Sequence, residues 1–258
     1  MADALLKIEN LKKAFGGLLA IVDLSFEVEP GRIKSIIGPN GAGKTTFFNL
    51  ITGIYPVSEG QIFFQGKDIT NQKPHRIAGM GISRTFQTID LFENMNVLEN
   101  IMVGCHSRFS SGLLASGLRL PLMKREESHI FQSSMKLLTM AGLSSKAHLP
   151  ASSLPLGEQK TLEILRALAS GPQLLLLDEP AAGLNESETN GLSKLIYTIR
   201  EQGITILLVE HDMRLVMKVS DEIVVVNYGQ IIAEGPPELI QNDPLVIEAY
   251  LGGEIDYA

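Results

Sequence analysis

The segment Gly38-Pro39-Asn40-Gly41-Ala42-Gly43-Lys44-Thr45-Thr46 carries residue types at spacings that suit a chain of phosphates. From Gly38 to Thr45 it fits the pattern G-x-x-x-x-G-K-[ST]. Glycines let a backbone turn sharply and approach an anion with no Cβ in the way. Successive N–H groups of such a loop, and of the helix N-terminus behind it, point at phosphate oxygens. Lys44 adds a point charge for β- and γ-phosphates, and Thr45 a hydroxyl for Mg²⁺. The apolar run 33–37 enters the loop, and Phe47, Phe48, Leu50 and Ile51 leave it at helical spacing. Strand, glycine loop and helix in that order make nucleotide binding the expected role.

A second group of polar residues ends the run Leu174-Leu175-Leu176-Leu177-Asp178-Glu179-Pro180. Ligands of α/β sheets bind beyond the carboxyl ends of parallel strands. Asp178 is then placed to hold Mg²⁺, directly or through water, and Glu179 to polarise the attacking water as general base. Alone, the run reads equally as a buried strand ending in an acidic turn; the phosphate loop decides for the functional reading. Gln87, in Arg84-Thr85-Phe86-Gln87, follows a predicted strand, where an amide can touch Mg²⁺ or the water. His211 follows the apolar run 204–209, where a ring nitrogen can hydrogen-bond a γ-phosphate. Each of these two, taken singly, is more readily a surface or structural residue. His75, His106, His129 and His148 show no pairing and receive no role.

These residues need a scaffold, and the chain alternates strand and helix patterns. Residues 5–11 and 20–28 read as strands, the second strictly alternating, with a turn at Pro30-Gly31. The helix after the phosphate loop runs to about Thr52, with Gly53 at its end. Further strands are expected at 61–64, 82–86, 174–177, 204–209, 223–227 and 230–233, and helices at 74–80, 97–103, 122–140, 157–170, 186–202, 212–219 and 236–251. A serine- and glycine-rich connector occupies 107–117. The region 96–153 reads as a mainly helical insert between two halves of an α/β core, whose sheet is expected to be largely parallel and covered on both faces.

The chain has 258 residues, 45% of them hydrophobic and 20% charged, enough for one core with a small subdomain. Its net charge of −7 argues against a dedicated nucleic-acid binder. Cys105 is its one cysteine, which leaves no internal disulfide or zinc cluster and fits a reducing cytoplasm. The N-terminal residues lack the long apolar core of a secretory signal, and the runs 204–209 and 223–226 are too short to span a bilayer. Work at a membrane therefore requires a partner.

Over essentially its whole length the chain resembles the nucleotide-binding subunit of ATP-binding cassette (ABC) transporters. Gln87 matches that family's Q-loop, Gly183-Leu184-Asn185 its D-loop with Asn185 where aspartate is commoner, and His211 its switch histidine. Phe15 stands where the family places an aromatic that stacks on adenine. The family signature L-S-G-G-Q is altered here to Leu154-Pro155-Leu156-Gly157-Glu158. Pro155 offers neither hydroxyl nor N–H, whereas Leu154 and Gly157 are retained. A weakened contact to the γ-phosphate is expected from that change. The phrases at 84–87, 94–100, 181–185 and 210–213, with the ending Glu248-Ala249-Tyr250-Leu251-Gly252, resemble the branched-chain amino acid importer branch. Related urea, amide or lipid transporters and soluble ABC ATPases are the competing assignments, the last disfavoured by a single cassette without sustained heptads.

The resemblance implies an α/β fold: a P-loop, RecA-like core with an N-terminal antiparallel β subdomain and an inserted α-helical subdomain. It divides the single ATP-binding domain 1–258 into core (1–95 and 154–235), helical subdomain (96–153) and C-terminal helical tail (236–258). It implies ATP and Mg²⁺ as ligands and hydrolysis coupled to transport. The implied partners are transmembrane permease subunits, a different ABC ATPase subunit completing a heterodimer and, indirectly, a solute-binding protein. The implied place is the cytoplasmic face of the membrane. The groove for a permease helix is expected near 87–92, with Leu91 and Phe92 either lining it or packing inward as core.

Overall fold

The computed structural model describes residues 4–105 and 121–251, so the connector expected at 107–117 lies outside the described residues. Its centre is set by strands that are buried at every position. β3 (Ile33–Ile37), β7 (Leu174–Asp178) and β8 (Thr205–Val209) are buried throughout. Such strands have no solvent face and demand cover on both sides. β8 lies between β3 and β7, parallel to both; β6 (Ile82–Arg84) joins beyond β7 and β9 (Glu222–Asn227) beyond β3, also in parallel.

The alternation of side chains along β7 and β8 sorts them into two core clusters. Leu175 and Leu177 of β7, with Ile206 and Leu208 of β8, enter one cluster. There they meet α3 (Val97–Gly104), α4 (Pro121–Met140), α5 (Leu156–Ala169) and α6 (Glu186–Glu201). Leu174, Leu176, Leu207 and Val209 enter the other, with Phe47 and Phe48 of α1 (Lys44–Ile51) and the inner faces of β1 (Leu6–Phe15), β2 (Leu18–Val28) and β4 (Glu59–Phe64). Each leucine fully buried in this way stabilises by about 1.5–3 kcal/mol. The four-leucine run therefore clamps both layers to one sheet.

The sheet is mixed rather than largely parallel. Its ten strands lie in the order β5-β4-β1-β2-β10-β9-β3-β8-β7-β6, where β5 is Lys67–Asp68 and β10 is Gln230–Gly235. The end formed by β5, β4, β1 and β2 is antiparallel. β2 meets β10 through a parallel pairing at Gln230 and Asp23, so both halves form one sheet. The alternation seen in β2 follows from this, because its second half packs on one face only.

Helix starts follow capping chemistry. Asn96 and Asn185 each head a capping box, with Glu99 and Glu188 returning the bond to the N-cap backbone. The side chain of Asp212 caps α7 (Met213–Val219) by accepting from the N–H groups of Arg214 and Leu215. The tail expected as one helix is two, α8 (Pro237–Ile240) and α9 (Pro244–Leu251). Pro244 has no N–H to continue the first and suits the opening turn of the second. α2 (Pro74–Gly79) likewise opens on proline.

Candidate active site

A cavity of about 1190 Å³ opens beyond the carboxyl ends of β3 and β7. Gly38, Pro39, Asn40, Gly41 and Ala42 form one wall of it, and Gln87, Glu179 and His211 another. The loop conformation depends on its glycines. Gly38 has φ +154° and faces the Val226 carbonyl so closely that a Cβ would collide with it. Gly43 has φ +100°, and its Cβ would lie 2.6 Å from the Ala20 carbonyl oxygen. α1 starts directly after Gly43, so its unpaired N–H groups and positive dipole end face the loop.

Lys44 is buried, and its Nζ donates to the carbonyl oxygens of Gly38 at 2.6 Å and Pro39 at 2.9 Å. Burial lowers its pKa, opposed by the charges of Glu179 and Asp178. Thr45 and Thr46 lie in the first turn of α1, the first exposed and the second half-buried.

Glu179 is half-buried in a left-handed backbone conformation, φ +47°. Its Oε2 accepts from Gln87 Nε2 at 2.8 Å and lies 3.7 Å from His211 Nδ1. Residues separated by 92 positions in the chain thus meet at one carboxylate oxygen. Behind them Asp178 is 1% exposed, and burial raises its carboxyl pKa against the lowering effect of Arg84. Asp178 Oδ2 accepts from Arg84 Nη2 at 2.8 Å, whereas Oδ1 has no hydrogen-bond partner among the described residues.

Other expected site residues lie apart from this cavity's lining. Phe15 ends β1 with 42% of its surface exposed; Tyr55 packs against it edge-on at 5.3 Å and the Lys13 ammonium sits 4.7 Å from its centroid. Leu154 is buried, Pro155 is the N-cap of α5, and Gly157 lies in its first turn, the helix starting one residue earlier than expected. The Asn185 side chain is engaged in its own capping box. Of the pair expected near the groove, Leu91 packs on the helical side of the core, while Phe92 is exposed beneath the Arg166 guanidinium at 5.3 Å.

Several contributors carried no signal in the sequence. Arg84 ties Asp178 to α1, with Nη1 donating to Asn49 Oδ1 at 2.7 Å. Glu210, fully buried, accepts from the N–H groups of Ala181, His211 and Asp212 at 2.6, 2.8 and 3.1 Å. It thereby fastens the loop after β7 to the loop after β8. α9 brings Leu245 and Tyr250 to the cavity's rim.

Known proteins match the chain in sequence and in fold. Residues 21–182 match the family model of the ABC transporter, and residues 230–256 that of the branched-chain amino acid ATP-binding cassette transporter. The high-affinity branched-chain amino acid transport ATP-binding protein LivG of Escherichia coli (strain K12) is 45% identical, covering 98% of this chain and 99% of its own. BraF of Pseudomonas aeruginosa, with the same description, is 43% identical over the same shares. The ADP conformation of MJ1267, an ATP-binding cassette of an ABC transporter, superimposes with a TM-score of 0.85 at 36% identity, covering 97% of this chain and 100% of its own. Aligned end to end with such relatives and folded as they are, the chain belongs to the ABC transporter family as an ATP-hydrolysing subunit.

Proposed function

We propose that this subunit powers uptake of branched-chain aliphatic amino acids, hydrolysing ATP at the cavity between the phosphate loop and Glu179. The observation that carries the hydrolysis is the junction of Gln87, Glu179 and His211 facing Gly38–Ala42 across one cavity, and the solute rests on the likeness to LivG and BraF. The phosphates lie against the N–H groups of residues 38–46, with Lys44 turning from the loop carbonyls to the β- and γ-oxygens. Glu179 takes the proton of the attacking water, Gln87 orients that water and His211 donates to the γ-phosphate. Adenine stacks on Phe15.

Mg²⁺ suits the residues present. Asp178 Oδ1 is a buried carboxylate oxygen lacking a hydrogen-bond partner among the described residues, and a hard cation prefers oxygen ligands. Asp178, the Thr45 hydroxyl and the Gln87 amide would hold it. When bound, it neutralises charge developing on the phosphates.

The signature residues Leu154 and Gly157 do not line this chain's cavity, which supports ATP closing between two subunits. A different ABC ATPase is the proposed partner, with permease subunits docking near Phe92 at the cytoplasmic face and a solute-binding protein delivering the amino acid outside. Among the described residues no helix is long and apolar enough to cross a membrane, so attachment falls to the permeases. The chain is divided as 1–95 and 154–235 (core), 96–153 (helical) and 236–258 (tail).

Reconstitution of the chain with its permeases and partner ATPase in vesicles tests the reading. ATP-dependent uptake of labelled leucine is expected; uptake of urea in its place would move the chain to another substrate. The same vesicles test the altered signature. Pro155 withholds one hydrogen bond from the partner's phosphate, which is worth about 1.5–3 kcal/mol, or roughly 10- to 150-fold in an equilibrium. Glu179→Gln is therefore expected to impair transport far more than the same change in the partner, and Pro155→Ser to leave ATPase activity equal or higher. Equal losses from the two glutamine variants would remove the asymmetry.

A further inference from the structure

α5, which begins at the altered signature, carries two buried charged residues one turn apart, Lys160 at 8% and Glu163 at 5% exposure. Lysine and glutamate are almost never fully buried without a partner. Each of these reaches a backbone group of a different loop at the cavity. Lys160 Nζ donates to the carbonyl oxygen of Glu179 at 3.1 Å. Glu163 Oε1 accepts from the N–H of Phe86, the residue before Gln87, at 3.1 Å. Burial lowers the pKa of Lys160 and raises that of Glu163, so both positions carry a desolvation penalty that an apolar helix face would avoid.

Glu179 shows what such a contact does. Its left-handed backbone is unusual for a residue with a side chain, and it persists only where the surroundings fix it. Its N–H donates to the Val209 carbonyl at 2.8 Å, and its own carbonyl is held by Lys160. One tether comes from the core strand β8; the other comes from α5.

We infer that Lys160 and Glu163 are positioning residues through which α5 sets the place of Glu179 and of Gln87. A shift of α5, as when a second subunit engages the residues at its start, then moves both loops together. The inference rests on the proposed roles of Glu179 and Gln87. Neither Lys160 nor Glu163 lines the cavity, so their loss should act on kcat and leave ATP affinity alone. A misplacement near 1 Å can cost about 100-fold in rate.

The test uses the full chain assembled with its partners, measuring kcat and KM for ATP, melting temperature and ADP affinity. Lys160→Met keeps length and loses the donor; it should lower kcat about 10- to 100-fold with KM within about twofold. Lys160→Arg keeps a donor and should recover most of that loss. Glu163→Leu should lower kcat similarly, and Glu163→Gln, which keeps an acceptor, should recover it. Wild-type kcat in Lys160→Met and Glu163→Leu overturns the inference, as does failure of both conservative variants to exceed their apolar counterparts, or a rise in KM with kcat unchanged. Should Lys160→Met not fold, Glu163→Leu against Glu163→Gln decides. Glu179→Gln is run beside them. If it hydrolyses ATP normally, the base assignment itself fails; if it is inactive while Lys160→Met runs at full rate, only the positioning inference fails.

Discussion

Replacing Glu179 by glutamine is expected to lower ATP turnover by ~100-fold or more while nucleotide stays bound. The two side chains have the same shape, so the amide still meets Gln87 at the oxygen where Glu179 Oε2 now accepts at 2.8 Å. The change removes the capacity to take a proton from water. It leaves in place the loop glycines and Lys44, to which the proposed mechanism assigns the phosphates, and Asp178, to which it assigns Mg²⁺. Lys44→Ala is the converse. Its ammonium is held inside the loop by Gly38 and Pro39, and its loss removes the only side-chain cation contributed by the phosphate-loop motif. Nucleotide affinity should fall there before any step of chemistry is reached. Single-turnover hydrolysis and equilibrium binding of a fluorescent ATP analogue separate the two. A wild-type hydrolysis rate in Glu179→Gln, measured in the assembled transporter, would place the base elsewhere.

The positions around the cavity were legible in the sequence where local chemistry dictates residue type. A loop that must accept anions at its backbone requires Gly38 and Gly43, whose φ angles and close carbonyl neighbours leave no room for a side chain. A strand buried on both faces requires the unbroken leucines of β7, and the carboxylates at its end then stand out. The unread residues depend on distant partners. Arg84 and Asp178 are 94 positions apart, and Glu163 and Phe86 are 77 apart. Nothing local distinguishes such an arginine or glutamate from one on a solvated face. Glu210 lies between an apolar strand and a histidine, and its bond to the N–H of Ala181, 29 positions away, has no local pattern. The mixed sheet was hidden for a similar reason. The pairing of Gln230 with Asp23 joins strands from opposite ends of the chain, and each reads locally as an ordinary half-buried strand. Leu91 and Phe92 differ in the structure because the first packs into the helical-side core, whereas the ring of the second stays exposed against Arg166 of α5, a choice that two adjacent apolar residues do not announce.

The pairing of Arg84 with Asp178 carries the largest expected effect on stability. The side chains are 6% and 1% exposed and 2.8 Å apart. Arg84 also lies 5.4 Å from the Phe48 ring centroid and 5.1 Å from that of Phe86, so its guanidinium is enclosed by apolar surface as well as by its partners. Removing one member of a buried ion pair strands the other charge, at a cost of about 3–5 kcal/mol. For a chain of this size each kcal/mol lowers the melting temperature by roughly 2–4 °C. Arg84→Met should therefore melt about 6–20 °C lower without nucleotide. Asp178→Asn alone should cost less, since the amide oxygen can still accept from Arg84 Nη2, and Arg84 Nη1 keeps its bond to Asn49. The double variant decides the cause. If the penalty of Arg84→Met is the stranded carboxylate, adding Asp178→Asn relieves it, and the double variant should cost less than the two single variants summed, by a coupling of about 0.5–3 kcal/mol. Strict additivity would mean that Arg84 stabilises through packing on Phe48 and Phe86. Because the readout is unfolding of the nucleotide-free protein, the result is independent of any role Asp178 has toward Mg²⁺. It separates what holds Asp178 in place from what Asp178 then does.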